Sequence, residues 1–307
     1  MKGIPTGNDV MRAPENAKRI VREFYEHYGW ERGGSGRYRD AELFVDGRRV
    51  AKSYGARARS REAAAFRRGG RYFLDAASGA NPATDFAARF RRHVCVDFSG
   101  RALAEARRTL GTRGLYVLAD VSALPFKDEA FDGLLSAHTL YHVHAEEQAA
   151  AVSEFLRVLC RRAPGAILYN TGELGALCRL RLVPTYWALR GWASRLCRRL
   201  RVTGLLRTKP SAISLDQAGN SRPPIYFHAY PAAWFSTRFG RRVETRCYQL
   251  LDQEHRAVLV PDNVVGWLLL WLVSGLERLF PHTLASWAGY IAIRLRKAPS
   301  SPDGRSR

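Results

Sequence analysis

Apolar and polar residues alternate through the middle of the chain as short apolar runs separated by amphipathic segments. Apolar runs of this length predict buried strands, and apolar residues spaced three or four apart predict helices. Strands that alternate with helices are typical of a parallel sheet covered on both faces. The predicted strands are residues 71–76, 92–98, 115–120, 131–137, 165–171, 243–251 and 289–297, and the predicted helices between them are residues 84–90, 100–110 and 145–161.

This order predicts an α/β fold, a doubly wound Rossmann-like sheet, because parallel strands are joined by right-handed crossovers. Residues 14–29 have helical periodicity, with Ile20, Val21, Phe24 and Tyr28 at the apolar positions. The expected organisation has an N-terminal helical extension and C-terminal helical insertions around the core. Its segments are a helical extension at 1–69, a core at 70–172, a basic aromatic insertion at 173–240, the last strands with an inserted apolar helix at 241–297, and a disordered tail at 298–307.

An acidic residue closes each of the first three predicted strands, namely Asp75, Asp97 and Asp120. Ligands of doubly wound sheets bind outside the carboxyl ends of the strands. Three carboxylates at that edge suit a ligand that offers hydroxyls and an amine, and they disfavour a phosphate. The alternative for each residue is that it caps the helix that follows.

Four segments resemble the class I S-adenosylmethionine-dependent methyltransferases, in particular the large group that methylates small molecules and lipids. They are LDAASGANP, VDFS, ADVSALPFKDEAFDGLLSAHTLYHV and EFLRVLCRRAPGAILYN, and they lie within residues 70–172. The family's first loop reads Asp-x-Gly-x-Gly-x-Gly, of which only Gly79 remains here. Ala77 suits the first glycine position if its φ is negative, and Asn81 is at ease with a positive φ.

The resemblance implies that S-adenosylmethionine is the cofactor and that it binds at these strand ends. The residues that it assigns to the cofactor's amino acid are Asp75, Ala77 and Gly79, those for the ribose and adenine are Asp97, Phe98, Asp120 and Val121, and those on the path to the acceptor are Ala137 and His138.

His138 and His142, in SAHTLYHVH, are the candidate catalytic residues. A neutral imidazole is available near pH 7, so either ring could act as general base toward a hydroxyl or phenol. The alternative is that these histidines only cap or pack the helix after the fourth strand.

A nicotinamide-binding Rossmann domain is the rival interpretation of the nucleotide site. It needs a glycine-rich turn and an acidic residue about 20 residues later, a place that Asp97 would fill. The Asn81-Pro82 pair stands where that motif has its third glycine, and the motif does not require ALPFKDEAFD. Both features favour the methyltransferase interpretation.

The formal net charge of +21 attracts anionic partners, although an arginine-rich composition alone could produce it. Arginine alternates with Leu, Trp and Tyr at 177–201, and an apolar run at 264–276 is too short to span a bilayer. Together they favour a hydrophobic or lipid-like acceptor and contact with an anionic membrane surface. Trp267, Trp271 and Trp287 belong to a residue type favoured at bilayer interfaces, but a closed lid that buries them is the alternative.

Two other functions remain open: an RNA-directed methyltransferase or RNA-binding protein, and a catalytically inactive relative that uses the fold for interaction. The five cysteines form no CxxC pair and no ligand-like cluster with histidine along the sequence, so neither a metal site nor a disulfide framework is expected. The N-terminal residues lack an apolar signal region, which favours a cytoplasmic protein.

Overall fold

The computed structural model describes residues 13–34, 36–44, 46–172 and 223–297, together with Thr185. Its strands are β1 Gly70–Ala76, β2 Phe90–Asp97, β3 Gly114–Leu118, β4 Gly133–Ala137, β5 Gly165–Asn170, β6 Val243–Gln249 and β7 Tyr290–Leu295. They form a seven-stranded sheet in the order β3-β2-β1-β4-β5-β7-β6. Strands β1 to β5 are parallel, and β7 lies antiparallel to β5 and β6. The predicted doubly wound α/β fold is confirmed.

Helices flank the sheet and also precede it. In the described part of the chain they are α1 Pro14–Phe24, α2 Arg39–Phe44, α3 Arg49–Ala63, α4 Gly100–Leu110, α5 Ala145–Val158, α6 Ala232–Phe239, α7 Gln253–Leu259 and α8 Val264–Leu279. The single helix predicted at 14–29 is α1 followed by a π-helical turn, Tyr25–Gly29.

The prediction of a helix at residues 84–90 is wrong, because the chain forms turns there. Phe86 is buried within these turns and packs beside Phe66, which directly follows α3. The Arg59 side chain of α3 pairs with Asp85, with 2.7 Å between Arg59 Nη2 and Asp85 Oδ1. The N-terminal extension thus covers the sheet face that a helix at 84–90 would have covered.

Successive residues of the central strands enter separate cores on the two faces of the sheet. Phe73 and Leu135 belong to one buried cluster, and Leu74 and Leu134 belong to the other. This follows from the two-residue period of a strand. Because both faces are filled, the open edge at the carboxyl ends of the parallel strands is the place left for a ligand.

The predicted apolar helix between the last two strands is confirmed as α8, which packs on α3 through Leu270 and Tyr54. Among the residues described, no helix combines the length and the apolarity needed to cross a bilayer. The predicted basic segment at 177–201 and the predicted tail at 298–307 lie outside the described residues, except for Thr185. The segment boundaries remain predictions.

Candidate active site

A cavity of about 1010 Å³ opens at the carboxyl edge of the sheet. The loops that follow β1, β2, β3 and β4 form one part of its wall, as expected for parallel strands whose carboxyl ends meet. All ten predicted site residues line this single cavity: Asp75, Ala77, Gly79, Asp97, Phe98, Asp120, Val121, Ala137, His138 and His142. Their roles toward a ligand remain predictions.

The loop after β1 turns through two residues in the left-handed region, Ala77 at φ 57° and Gly79 at φ 60°. The expectation of a negative φ at Ala77 is therefore wrong, and Asn81 is not among the described residues with positive φ. A Cβ atom added at Gly79 would lie 2.6 Å from Trp30 Cζ2, so a side chain there would clash with that indole. The loop keeps a glycine-like backbone at Ala77 at the cost of strain.

Asp97 ends β2 and is buried, with both carboxylate oxygens bonded to backbone. Oδ2 accepts from Gly79 N at 2.9 Å, and Oδ1 accepts from Ser99 N at 2.9 Å. Burial raises the pKa of Asp97 to about 6, against the lowering effect of these two N–H donors. Each oxygen has a second lone pair. Asp97 can therefore accept further hydrogen bonds from ligand hydroxyls.

Asp75 is the next-to-last residue of β1, and its carboxylate contacts His93 of the neighbouring strand β2. Its Oδ2 atom accepts from Ala83 N at 2.8 Å and lies 2.9 Å from His93 Nε2. Cys95 completes a buried group whose ligand-type atoms lie within 4.8 Å of one another. The expectation that no cysteine joins a histidine in such a cluster is therefore wrong for Cys95.

The chemistry of this cluster fits a structural role better than a metal site. Burial raises the pKa of the Cys95 thiol, which disfavours the thiolate that metals bind. His93 and the Ala83 N–H together fix the orientation of the Asp75 carboxylate toward the cavity.

Asp120 carries an ion pair that the sequence pattern did not indicate. Lys18 of α1 reaches across to it, with 2.8 Å between Lys18 Nζ and Asp120 Oδ2, and also contacts Glu147 at 2.6 Å. The other oxygen, Oδ1, accepts from Ser122 N at 2.8 Å. An amine of a ligand would share the Asp120 carboxylate with Lys18.

The N-terminal extension forms a wall of the cavity through Lys18, Val21, Tyr25 and Trp30. Sequence reasoning missed these residues as site residues. The only signal for them was the amphipathic period at 14–29, which predicts a buried face without saying what it covers. Phe98 packs in the same small cluster as Val21.

His138 follows β4 in the left-handed region, at φ 60°, and its ring faces the cavity. It lies edge-on to Tyr290, with ring centroids 5.6 Å apart. His138 is exposed to the cavity, and desolvation by the protein groups around the cavity lowers its pKa to about 4, with Arg59 and His142 adding to the effect. His138 is therefore neutral near pH 7, able to accept a hydrogen bond but a weak base.

His142 is tied to the backbone of the segment that follows the undescribed region. Its Nδ1 lies 2.7 Å from the carbonyl oxygen of Tyr226, so Nδ1–H must be the donor. This bond fixes the tautomer in which Nε2 of the neutral ring is unprotonated. His142 thus has a packing role as well as a place in the cavity wall.

Polar groups from β6, β7 and α7 line a further part of the cavity: Tyr248, Gln249, Arg256 and Tyr290. The sequence interpretation contained none of them, because their strands and helix lie more than 100 residues beyond the first loops. In the sheet order, β6 lies at the edge opposite β3, with β2 next to β3. The cavity thus has a carboxylate end near Asp97 and Asp120 and a second end near Gln249.

The carboxylate end fits S-adenosylmethionine. The buried Asp97 retains acceptor capacity for ribose hydroxyls, and the oriented Asp75 suits an ammonium group. The left-handed turn at Ala77 and Gly79 brings backbone to the cavity surface. Phe98 and Val121 supply apolar wall beside these groups. These carboxylates, backbone groups and apolar side chains match the amino acid, ribose and adenine parts of this cofactor.

Residues 74–167 match the family model described as a methyltransferase domain. No curated protein matches the chain. A candidate methyltransferase from Bacillus halodurans C-125 is 26% identical, covering 37% of this chain and 52% of that one, with a TM-score of 0.33. The chain spans about half the length of that protein.

Two other solved structures are also similar. Magnesium protoporphyrin IX methyltransferase from Synechocystis PCC 6803, with bound S-adenosylmethionine, is 20% identical over 51% of this chain and 77% of that one, with a TM-score of 0.39. A chain of the complex between the Haloferax volcanii Trm112 methyltransferase activator and a candidate methyltransferase is 15% identical over 80% of this chain and 95% of that one, with a TM-score of 0.43.

The domain match assigns residues 74–167 to a methyltransferase domain. The strand order and the carboxylate-lined cavity agree with that assignment, and the cavity has the groups that S-adenosylmethionine would need.

Proposed function

We propose that the protein methylates a small hydrophobic or lipid-like acceptor, which it takes from an anionic membrane surface. The observation that carries this proposal is the exposed apolar surface of α8. Only Gly266, Leu270 and Glu277 of this helix are buried. The exposed apolar residues of α8 and its C-cap are Val264, Val265, Trp267, Leu268, Leu269, Trp271, Leu272, Leu276, Leu279 and Phe280.

This surface is unusual for a protein that meets only water. Trp267 is 44% exposed and Trp271 is 54% exposed. Trp287, which follows the helix, is exposed as well. The largest apolar patches on soluble monomers are about 300–600 Å², and a contiguous surface of this kind marks a docking site. The alternative lid, in which these Trp side chains are buried against the sheet, is not the arrangement observed.

The charges of α8 and of the whole chain favour an anionic lipid surface as the partner of the exposed apolar surface of α8. Glu277, the acidic residue of α8, is buried and bonded to Tyr54 and Arg61. The charged residue that α8 exposes is Arg278. With no exposed carboxylate on the helix and a net charge of +21 on the chain, anionic headgroups would be attracted while Trp and Leu enter the acyl boundary.

Helix α3 connects this surface to the cavity. One side of α3 contacts α8 through Tyr54 and Arg57, and another side lines the cavity through Gly55 and Ala56. The docking surface is thus one helix away from the site, roughly 10 Å by ordinary helix packing distances. An acceptor dissolved in lipid would have a short route to the cavity.

Methyl transfer to the acceptor requires mainly that the acceptor be positioned correctly. The bound cofactor supplies an activated methyl group on a sulfonium, so the chain's main work is to align the acceptor and exclude water. Ala137 and His138 lie between the carboxylate end and the Tyr290 end of the cavity wall. The neutral His138 ring accepts a hydrogen bond from a hydroxyl acceptor, which orients its lone pair toward the methyl.

Liposome flotation tests the membrane part of the proposal. We expect the full chain to float with vesicles of phosphatidylglycerol and phosphatidylcholine but not with phosphatidylcholine alone, and high salt should weaken the binding. The Trp267→Ala, Trp271→Ala double variant should lose most of the flotation. Leu118→Ala, which truncates an exposed leucine on β3, is the matched control and should float like the wild type.

Absence of flotation at every anionic lipid content would contradict the membrane proposal. Salt-sensitive binding to single-stranded RNA in the same preparation would then favour the RNA-directed alternative. That alternative leaves the apolar surface of α8 without a use.

A further inference from the structure

Resting on the proposed methyl transfer, we propose that the acceptor carries an anionic group, a carboxylate or a phosphate, which Arg256 binds at the second end of the cavity. Arg256 belongs to α7 and lines the cavity beside Gln249 and Tyr290. The carboxylate end would hold the cofactor, and Arg256 would hold the far end of the acceptor.

The guanidinium of Arg256 is buried without full hydrogen bonding. The residue is only 8% exposed. Its Nη1 donates to Leu251 O at 2.6 Å and to Gln249 Oε1 at 3.1 Å, and both acceptors are neutral. Its Nε has no hydrogen-bond partner. A buried guanidinium with an unpaired donor is costly, so this side chain would gain from an acceptor bound where Arg256 lines the cavity.

The positive charge of Arg256 also lacks an anion in direct contact. Among the described residues, no carboxylate forms an ion pair with it, although the Asp46 charge interacts with it at longer range and its guanidinium carbon lies 5.7 Å from the centre of the Tyr54 ring. Asp46, which also lines the cavity, is held by Arg48, with 2.7 Å between Arg48 Nη2 and Asp46 Oδ2. Asp252, at the start of α7, accepts from His255 N at 2.8 Å. A buried cation without an anionic partner is strongly disfavoured.

The other arginine that lines the cavity near this end is already paired, whereas Lys52, which also lines the cavity, is exposed. Arg59 lines the cavity, but its guanidinium makes two hydrogen bonds to Asp85, at 2.5 and 2.7 Å. Arg256 is therefore the described arginine that an acceptor could neutralise there. Its planar donors match the geometry of a carboxylate or a phosphate.

The path from Arg256 leads toward the methyl-transfer position. Tyr290 and Tyr248 line the wall next to Arg256 and Gln249. The His138 ring lies 5.6 Å from the Tyr290 ring and 6.4 Å from the Tyr248 ring, measured between centroids. An acceptor anchored by its anionic group at Arg256 would extend along these aromatic rings to His138 and Ala137.

Isothermal titration of the full chain saturated with S-adenosylhomocysteine tests the inference. The probes are octanoate, octyl phosphate and the neutral octanol, each of which has eight carbon atoms. We expect at least one anionic probe to bind about tenfold or more tightly than octanol, a difference of about 1.4 kcal/mol. The better of the two anions tells a carboxylate acceptor from a phosphate acceptor.

Variants distinguish binding of the anion by Arg256 from general attraction of anions to the positively charged protein. Arg256→Gln should abolish the preference for the anion, and Arg256→Lys should keep part of it. Arg91→Gln removes an exposed arginine of β2 and should leave the preference unchanged. If Arg256→Gln fails to fold, Arg256→Lys decides in its place, because an undiminished preference in that variant would contradict the inference.

Equal affinity for octanoate, octyl phosphate and octanol would overturn the inference, as would an anion preference that survives in Arg256→Gln. Binding of S-adenosylhomocysteine with no anion preference would reject Arg256 alone and leave the proposed function intact. Failure of S-adenosylhomocysteine to bind at all would reject the proposed function, and this inference with it.

Discussion

The backbone N–H of Gly79 donates a hydrogen bond to the Asp97 carboxylate, with 2.9 Å between Gly79 N and Asp97 Oδ2. This bond joins the loop after β1 to the end of β2. It holds two predicted cofactor-binding residues in place before any ligand arrives. A site ordered in this way loses less entropy on binding.

Replacement of Asp97 by alanine should weaken cofactor binding. The change removes the acceptor for the ribose hydroxyls and the tie to Gly79, so we expect affinity for S-adenosylhomocysteine to fall by about 2 to 3 kcal/mol, roughly 30- to 160-fold. Isothermal titration measures the effect, and Glu254→Ala, at an exposed acid of α7, is the control. An unchanged affinity in Asp97→Ala would remove Asp97 from the cofactor site.

Cofactor binding should depend on pH through Asp97, whose pKa burial raises to about 6. Hydroxyl donors favour the ionised carboxylate, so affinity should be full above pH 6 and fall by up to about tenfold for each pH unit below it. Titrations of S-adenosylhomocysteine between pH 5 and 8 check this. A profile that stays flat in the wild type, or that persists in Asp97→Ala, contradicts the assignment.

Ala77→Gly should stabilise the fold slightly. An alanine in the left-handed region costs about 1–2 kcal/mol, and glycine removes this strain. The greater flexibility of glycine in the unfolded chain offsets about 0.5–1 kcal/mol of the gain. The net gain should be about 0.5–1 kcal/mol in urea denaturation. Ala80→Gly, at a residue that is not among those with positive φ, should instead lose about 1 kcal/mol. Loss of stability in Ala77→Gly would show that Ala77 is unstrained.

Glu277→Ala should strongly destabilise the protein. The buried carboxylate accepts from Tyr54, from Arg61 and from Leu250 N, and thereby links α3, α8 and the end of β6. Removing one partner of such a buried group costs about 3–5 kcal/mol. Chemical denaturation should show this loss, whereas the exposed Glu254→Ala should stay within about 0.5 kcal/mol of wild type.

His138 should remain neutral well below physiological pH, because desolvation at the cavity wall, with the nearby Arg59 and His142, lowers its pKa to about 4. NMR of histidine-labelled protein should show one imidazole signal with a midpoint near pH 4, absent from the His138→Asn spectrum. The unfolded chain takes up this proton near pH 6.5, so stability should fall as pH drops from about 6.5 to 4, and less so in His138→Asn. A midpoint above pH 6 would restore His138 as a strong base.

The sequence by itself determined the sheet and the carboxylate end of the site. Alternating strands and helices specify a doubly wound topology, and residues at the carboxyl ends of parallel strands meet at one edge. For this reason the sequence predicts that Asp75, Asp97 and Asp120 lie together, and all three line the cavity. Periodicity and position along a strand are local properties that one chain segment carries alone.

Only the tertiary structure decided which distant groups occupy the same space. Nothing in the spacing predicts that Lys18 pairs with Asp120 or that Arg256, whose Nε has no hydrogen-bond partner, lines the cavity. The helix expected at 84–90 failed for the same reason, since α3 covers that face of the sheet. Such outcomes depend on how volumes and charges from separate elements fit together, and packing of this kind has no local sequence signature.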